Sequence, residues 1–307
     1  MEASRLTSPV RPAAASVAGA RQLLADYVTL CKPRVQLLLL LTTVATMEVA
    51  GSPSLGLVLL TLLGGALSAG GAGAVNHWYD RDIDARMART ATRPLPSGRV
   101  SPRAALTFGI VLAALSFAEL SLAVNLLAAC LALSGFLGYV LVYTLWLKRA
   151  TPQNIVIGGA AGAVPPLVGW AAVRGSVGAA ALYLFAIVFY WTPPHFWALS
   201  LLMKDEYAKV GIPMLPVVRG EDETRRQIVL YSALLVAVTF LPFAARLFGG
   251  VYGVCAGLLG AAFLALALRL QRRPAPPASR RAALRLYLFS LLYLALLFSA
   301  MVVDVKL

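Results

Sequence analysis

The sequence predicts an all-α, polytopic membrane protein, a bundle of about nine transmembrane helices around a central cavity, and three observations predict it. Of the 307 residues, 60% are hydrophobic and only 13% charged, and mean hydropathy is strongly positive. A soluble domain could carry that composition only by exposing extensive apolar surface. Apolar runs repeatedly reach the roughly 20 residues needed to cross about 30 Å of hydrocarbon. Basic residues alternate, rich in one connection and sparse in the next, as positive-inside sorting requires. A β-barrel would also satisfy its backbone in lipid, but it would read as short alternating strands rather than runs such as Leu37–Leu41 or GLLGAAFLALAL at 257–268.

The expected spans lie near 35–52, 54–76, 104–121, 123–146, 153–173, 179–202, 227–245, 249–270 and 284–303. Lys32 and Arg34 precede the first. Arg81, Arg86, Arg89, Arg93, Arg99 and Arg103 crowd the connection after the second, and Lys148 and Arg149 end the fourth. Lys204, Lys209, Arg219, Arg225 and Arg226 follow the sixth, and Arg269, Arg272, Arg273, Arg280, Arg281 and Arg285 follow the eighth. The opposite connections hold chiefly Arg174 and Arg246. This sorting places the N-terminus on the cytoplasmic (or matrix) side and the C-terminus outside, which needs an odd number of spans. It also accounts for the net charge of +14, so no nucleic-acid role is read from that charge.

Inside the fifth and sixth spans, Pro165–Pro166 and Pro193–Pro194 remove backbone donors and are expected to kink or interrupt the helix. Cys31, Cys130 and Cys255 are scattered without CxxC spacing, so neither a disulfide framework nor a thiolate metal site is indicated. Residues 1–26 are Ala-, Ser- and Arg-rich without an apolar core, which argues against a cleaved secretory signal. They are expected to be a flexible basic segment preceding one transmembrane domain, 27–307. RRPAPPASRR at 272–281 reads as a solvated basic linker touching anionic lipid. Two inner connections, 77–103 and 203–226, are far longer than the others and are where chemistry is expected.

The first of these opens, at the end of the second span, within AVNHWYDRDIDARMARTATRPLPSGR, in which Asn76, Asp80 and Asp84 recur every four residues. On a helix each such step drifts about 40° and climbs about 6 Å, so the three oxygens form one stripe. Two carboxylates and an amide are hard ligands suited to Mg²⁺ shared with phosphate oxygens. The bland alternative is a solvated helix end with the aspartates paired to Arg81 and Arg86. Against it, Asn76 follows GGAGAV at membrane depth, where polar groups usually face a bundle interior. Arg89 and Arg93 can supply cations for a diphosphate, and Asp205 and Glu206 supply carboxylates on the second long connection.

In this setting the NxxxDxxxD stripe resembles the first aspartate-rich motif of the UbiA-type intramembrane prenyltransferases. CKPRVQ at 31–36, YTLWLKRATPQNIVIGGAAGAVPPLVGW at 143–170 and WTPPHFWALSLLMKDEYAKVGIPMLPVVRG at 191–220 narrow the resemblance to the heme O synthases, which are protoheme IX farnesyltransferases. The resemblance covers about 27–226. It implies farnesyl transfer from farnesyl diphosphate to the 2-vinyl group of heme b, with water added and pyrophosphate released. It also implies residence in the inner (cytoplasmic) membrane of a bacterium rather than that of a mitochondrion, and a link to heme A synthase or heme-copper oxidase assembly. The second motif departs from the usual DxxxD: Lys209 stands where an aspartate is expected, and Asp205 is favoured over Glu206 as ligand by spacing.

Asn76, Asp80, Asp84 and Asp205 are thus the expected catalytic metal ligands, with Arg34, Arg93, Lys148 and Lys209 on the diphosphate. Charge building on the leaving pyrophosphate would be neutralised there, while an apolar bundle keeps the allylic cation from water. His195, flanked by Pro194, Phe196 and Trp197, is expected to ligate heme iron or orient the substrate, since imidazole commonly binds that iron. His77 is the second candidate. A packed structural histidine is the plain alternative for both. Tyr143 and Tyr207 could contact phosphate but serve equally as interfacial anchors. One rival keeps the chemistry and changes the acceptor to a quinone-precursor ring or another tetrapyrrole. A transporter is the rival from another class, but it would place charges near the midplane of several helices, whereas here they gather at inner helix ends.

Overall fold

A computed structural model describes residues 12–272 and 277–307; residues 273–276 of the basic linker and residues 1–11 lie outside the described part. The described chain is helical throughout: α1 (Pro12–Leu30), α2 (Pro33–Ala50), α3 (Leu55–Tyr79), α4 (Arg81–Asp84), α5 (Pro102–Ala123) and α6 (Leu126–Leu137). A π-helical stretch, Gly138–Leu147, joins α6 to α7 (Lys148–Ala150), and α8 (Asn154–Gly162) and α9 (Val164–Arg174) follow. The rest comprises α10 (Ala179–Leu202), α11 (Lys204–Lys209), α12 (Leu215–Val218), α13 (Gly220–Ala244), α14 (Gly250–Gln271) and α15 (Ala278–Lys306).

Eight spans among the described residues are long and apolar enough to cross a bilayer: α2, α3, α5, α6 through α7, α8 with α9, α13, α14 and α15. The one remaining expected span, the sixth at 179–202, coincides with α10, whose 24 residues include no Asp, Glu, Lys or Arg. At 1.5 Å per residue it is about 36 Å long, enough for a core of about 30 Å. Thr192, Pro193, Pro194 and His195 lower its hydropathy and are all buried. The two proline pairs act differently. Pro165–Pro166 fall in the first turn of α9, just after the break from α8, whereas α10 runs on through Pro193–Pro194. The helix over Pro12–Leu30 has no counterpart among the expected spans.

Local chemistry starts several helices. Ser54 accepts from the Leu57 N–H and Ser101 from the Ala104 N–H, each at 3.2 Å, and Asn125 accepts from the Ala128 N–H at 2.8 Å, the N-cap arrangement that satisfies orphan donors. Helix faces then meet through small residues. A Cβ on Gly71 would lie 2.6 Å from the Gly109 carbonyl oxygen of α5, and one on Gly73 2.8 Å from the Leu30 carbonyl oxygen. The run GGAG at 70–73 therefore lets α3 approach both α1 and α5 at backbone distance, as small residues do between membrane helices. Gly169 plays the same part between α9 and the Thr43 carbonyl of α2.

Successive spans are neighbours, and α15 packs against both α2 and α10, closing the bundle into a ring. Lys306 pairs with Glu48 of α2 at 2.9 Å across that closure. The largest buried side chains, Trp197, Tyr252, Tyr293, Phe263 and Phe298, gather among α10, α13, α14 and α15. Leu115, Leu122, Leu126, Leu258, Leu288 and Leu292 face outward, as expected of helices whose solvent is lipid.

Candidate active site

Helix α3 delivers the expected stripe. It ends at Tyr79, Asp80 caps it, and α4 adds one further turn, so the spacing of four carries across the junction. Asn76, Asp80 and Asp84 are all buried, at 4%, 1% and 4% exposure. Two carboxylates at that depth need compensating charge, and neighbouring segments supply it. Lys148 pairs with Asp80 Oδ2, Arg93 donates to Asp84 Oδ2 at 2.7 Å, and Arg149 Nη2 stands 3.6 Å from Asp80 Oδ1. The stripe is also linked internally, because the Asn76 amide donates to Asp80 Oδ2 at 2.8 Å.

Lys32 and Thr144 join this cluster without having been expected there. Lys32 caps α2 in the left-handed conformation, φ 53°, a costly one for a residue with a Cβ. Its ammonium donates to Asn76 Oδ1 at 2.5 Å. Desolvation, together with the charges of Lys148 and Arg93, lowers the Lys32 pKa to about 7, with Asp80 and Asp84 acting the other way. Thr144, fully buried on the π-helical stretch, accepts from Asn76 Nδ2 at 3.2 Å. Both Nδ2 hydrogens are thereby committed to Asp80 and Thr144, which leaves Oδ1 to accept from Lys32. π-Helical turns recur at functional sites; here the stretch runs from Thr144 directly into Lys148 and Arg149.

Arg149 forks onto Asp82 at 2.7 and 2.8 Å and lies 4.5 Å over the Tyr79 ring. Its hydrogen bonds hold the Asp82 carboxyl below its ordinary pKa. Asp82 is half-exposed and points away from the buried stripe.

The second connection contributes differently from its spacing. Asp205 and Lys209 of α11 are exposed, while Glu206 is half-buried with Oε2 sealed and without a hydrogen-bond partner. Tyr207 beside it is raised in pKa by burial; it feels Lys148, Arg89 and Arg93 from one side and Glu206 from the other. Thus α11 sets Tyr207 within reach of the charges of the first cluster and buries one oxygen of Glu206 beside it. Arg34 is exposed and stands outside it.

Around the two buried carboxylates stand four cationic side chains: Lys148 and Arg149 at Asp80, Arg93 at Asp84, and Lys32 on the Asn76 oxygen. That surplus of positive charge favours a polyanion. No group of three His, Cys, Asp or Glu converges among the described residues, so a hard cation here would rest on the two aspartates and the Asn76 oxygen. Asp80 Oδ1, Glu206 Oε2 and Asn154 Oδ1 are sealed acceptors without hydrogen-bond partners. Such all-oxygen donors fit Mg²⁺ rather than zinc or copper.

The histidines lie apart in character. His77 is buried, with Nδ1 unpartnered. His195, within α10, is stacked between Trp191 at 4.3 Å and Tyr287 at 4.9 Å. Its Nδ1 meets Ser290 Oγ of α15 at 2.6 Å.

The sequence profile of the UbiA prenyltransferase family matches residues 37–297. Protoheme IX farnesyltransferase of Symbiobacterium thermophilum is 54% identical over 286 residues, 92% of this chain and 95% of that protein. Protoheme IX farnesyltransferase of a Roseiflexus species is 54% identical over 288 residues, 93% of this chain and 53% of that protein, so the chain spans about half its length. A UbiA homologue from Archaeoglobus fulgidus, solved bound to DMAPP and Mg²⁺, superimposes with a TM-score of 0.69 at 22% identity, over 90% of this chain and 99% of that one. The profile match over residues 37–297, together with a relative 54% identical over nearly the whole of both chains, shows that the chain belongs to the UbiA prenyltransferase family.

Proposed function

We propose that this chain transfers the farnesyl group of farnesyl diphosphate to the 2-vinyl group of heme b, with addition of water, giving heme O and diphosphate. The observation that carries this reading is the convergence of Asn76, Asp80 and Asp84 with Lys32, Arg93 and Lys148 at the end of an apolar bundle. The names of relatives about half identical over most of this chain support heme as the acceptor.

Mg²⁺ would be held by Asn76, Asp80 and Asp84, with Asp205 or Glu206 from the second connection, and when bound it supplies charge neutralisation for the departing diphosphate. Lys148, Arg93 and Lys32 bind the phosphate oxygens and stabilise the negative charge that grows as the allylic C–O bond breaks; Arg34 and Lys209 extend that cation shell at the rim. The apolar helix walls bury the farnesyl chain and keep water from the allylic carbon until the vinyl group has attacked it. The new C–C bond leaves positive charge on the former vinyl carbon; a water adds there and loses a proton. His195, with His77 as the second choice, contacts the heme.

Residues 27–307 form the single catalytic unit in this reading, with the two long connections, 77–103 and 203–226, facing the cytoplasm. The membrane is the bacterial inner membrane, with the N-terminus inside and the C-terminus outside. Heme A synthase or oxidase assembly factors would receive the product.

The test uses the full chain in proteoliposomes with heme b, farnesyl diphosphate and Mg²⁺, followed by mass spectrometry of the extracted hemes. Heme O should appear only with the complete mixture. Failure to farnesylate heme, with prenylation of a quinone-precursor ring in parallel vesicles, would replace the acceptor while keeping the family chemistry.

A further inference from the structure

The Ser290 hydroxyl has one hydrogen to give, and two groups lie within reach of it. Its oxygen is 2.6 Å from the Tyr287 carbonyl one turn earlier and 2.6 Å from His195 Nδ1. A carbonyl cannot donate, so the first contact is a hydrogen bond only if Ser290 gives its hydrogen there; otherwise two oxygens would face each other lone pair to lone pair. Toward His195, Ser290 is then an acceptor, and Nδ1 must carry a hydrogen. The imidazole is left with Nε2 bare, and Nε2 has no hydrogen-bond partner among the described residues.

The surroundings fix the ring as well as its proton. Trp191 covers one face with an interplanar angle of 18°, Tyr287 covers the other at 27°, and Phe196 stands edge-on. The Trp191 indole N–H donates to the Ser290 backbone carbonyl at 2.7 Å, tying one plate of this sandwich to the residue that reads Nδ1. With both faces covered and Nδ1 engaged, a ligand can reach the ring only in its plane, along the Nε2 lone pair. That is the direction from which an imidazole binds a metal, and the group on the opposite nitrogen usually sets its tautomer.

We infer that Ser290 is a positioning residue that locks His195 as its Nδ1–H tautomer, presenting Nε2 to the iron of the heme substrate. This rests on the reading of His195 as the heme contact. It assigns α15 a part in substrate geometry, although α15 lies beyond the region of motif resemblance.

Histidine labelled with ¹⁵N, in the full chain in lipid nanodiscs, tests the tautomer without any substrate. The chain has two histidines, and His195→Ala identifies which resonances are whose. His195 should show a protonated Nδ1 and a bare Nε2. Ser290→Ala should move a measurable share of the population to the Nε2–H form, and Ser290→Thr should restore the original. A protonated Nε2 in the unaltered chain, or populations unmoved by Ser290→Ala, would overturn the assignment. In a second arm, ferric heme is titrated into the same nanodiscs. Ser290→Ala should weaken binding about 10-fold, and His195→Ala should remove the histidine-ligated spectrum. An unchanged spectrum with His195→Ala removes the heme contact while the ¹⁵N result stands on its own. Unaltered affinity with a shifted tautomer removes the link between the two.

Discussion

The Asp80 cluster and the His195 cluster solve the same problem, polar groups in an apolar bundle, by opposite means. Around Asp80 the solution is opposed charge: carboxylates, ammonium groups and guanidinium groups crowd one helix end, where solvated phosphates and ions can also arrive. Around His195, within α10 and α15, every partner is neutral, and order comes from a hydroxyl, a backbone carbonyl and ring stacking. Depth explains the difference. Isolated charge is expensive inside hydrocarbon, so the interior uses direction instead of charge, and the helix end pairs opposed charges.

The contrast breaks most visibly at Asp80. Asp80→Ala leaves Lys148 and Arg149 without their buried partner and, in the proposed reading, removes a metal ligand, so turnover of farnesyl diphosphate should fall about 10³-fold. Heme O measured by mass spectrometry checks this, and undiminished product would take the residue out of the site. Thr144→Val keeps the shape but frees one Nδ2 hydrogen of Asn76, so an effect of about 10-fold on activity at limiting Mg²⁺ is expected, with Thr144→Ser restoring it. A uniform loss at every Mg²⁺ concentration would contradict the amide-setting role.

Gly71→Ala tests the platform beneath the charges. Its methyl would press on the Gly109 backbone carbonyl, which cannot move aside without shifting α5, and overpacking of this kind costs about 1–3 kcal/mol. Thermal unfolding in detergent should show a drop of several degrees. The smallest effect belongs to Asp82→Asn. Asp82 is 54% exposed, so its pair with Arg149 is worth less than about 1 kcal/mol. Because Arg149 depresses the Asp82 pKa, whatever stability the pair gives is present above the ordinary carboxylate range. It is lost as pH falls through the folded value. The gap between Asp82→Asn and the unaltered chain should therefore close on acidification; a gap that widened would contradict the pairing.

Legibility in the sequence followed the strength of the physical constraint. The bilayer demands long apolar stretches, so the spans could be located from hydropathy alone. Helix α10 satisfies the test least well because its Thr192–His195 segment faces inward. Helix α1 escaped notice because its Ala- and Arg-containing sequence has no apolar run to mark it. The four-residue spacing of Asn76, Asp80 and Asp84 was visible because one helix carries all three. Lys32 and Thr144 arrive from other segments, through a left-handed cap and a π-helical turn, and neither leaves a periodic trace. On α11 the spacing points to Asp205, while the structure leaves Asp205 exposed and seals one oxygen of Glu206. Ser290 resembles any small residue on a membrane helix until its neighbour across the ring is known.

Helix α15 follows every other element of the bundle in the chain, yet it bears the hydroxyl against His195, the Tyr287 plate and the contact with α2. During synthesis the acid ladder can therefore assemble from α2 through α7 long before the imidazole is oriented. A nascent chain halted ahead of α15 would hold the Asn76–Asp84 ladder and its cations but would lack the Ser290 and Tyr287 contacts to His195. The orientation of His195 therefore waits on α15, which supplies both Ser290 and Tyr287.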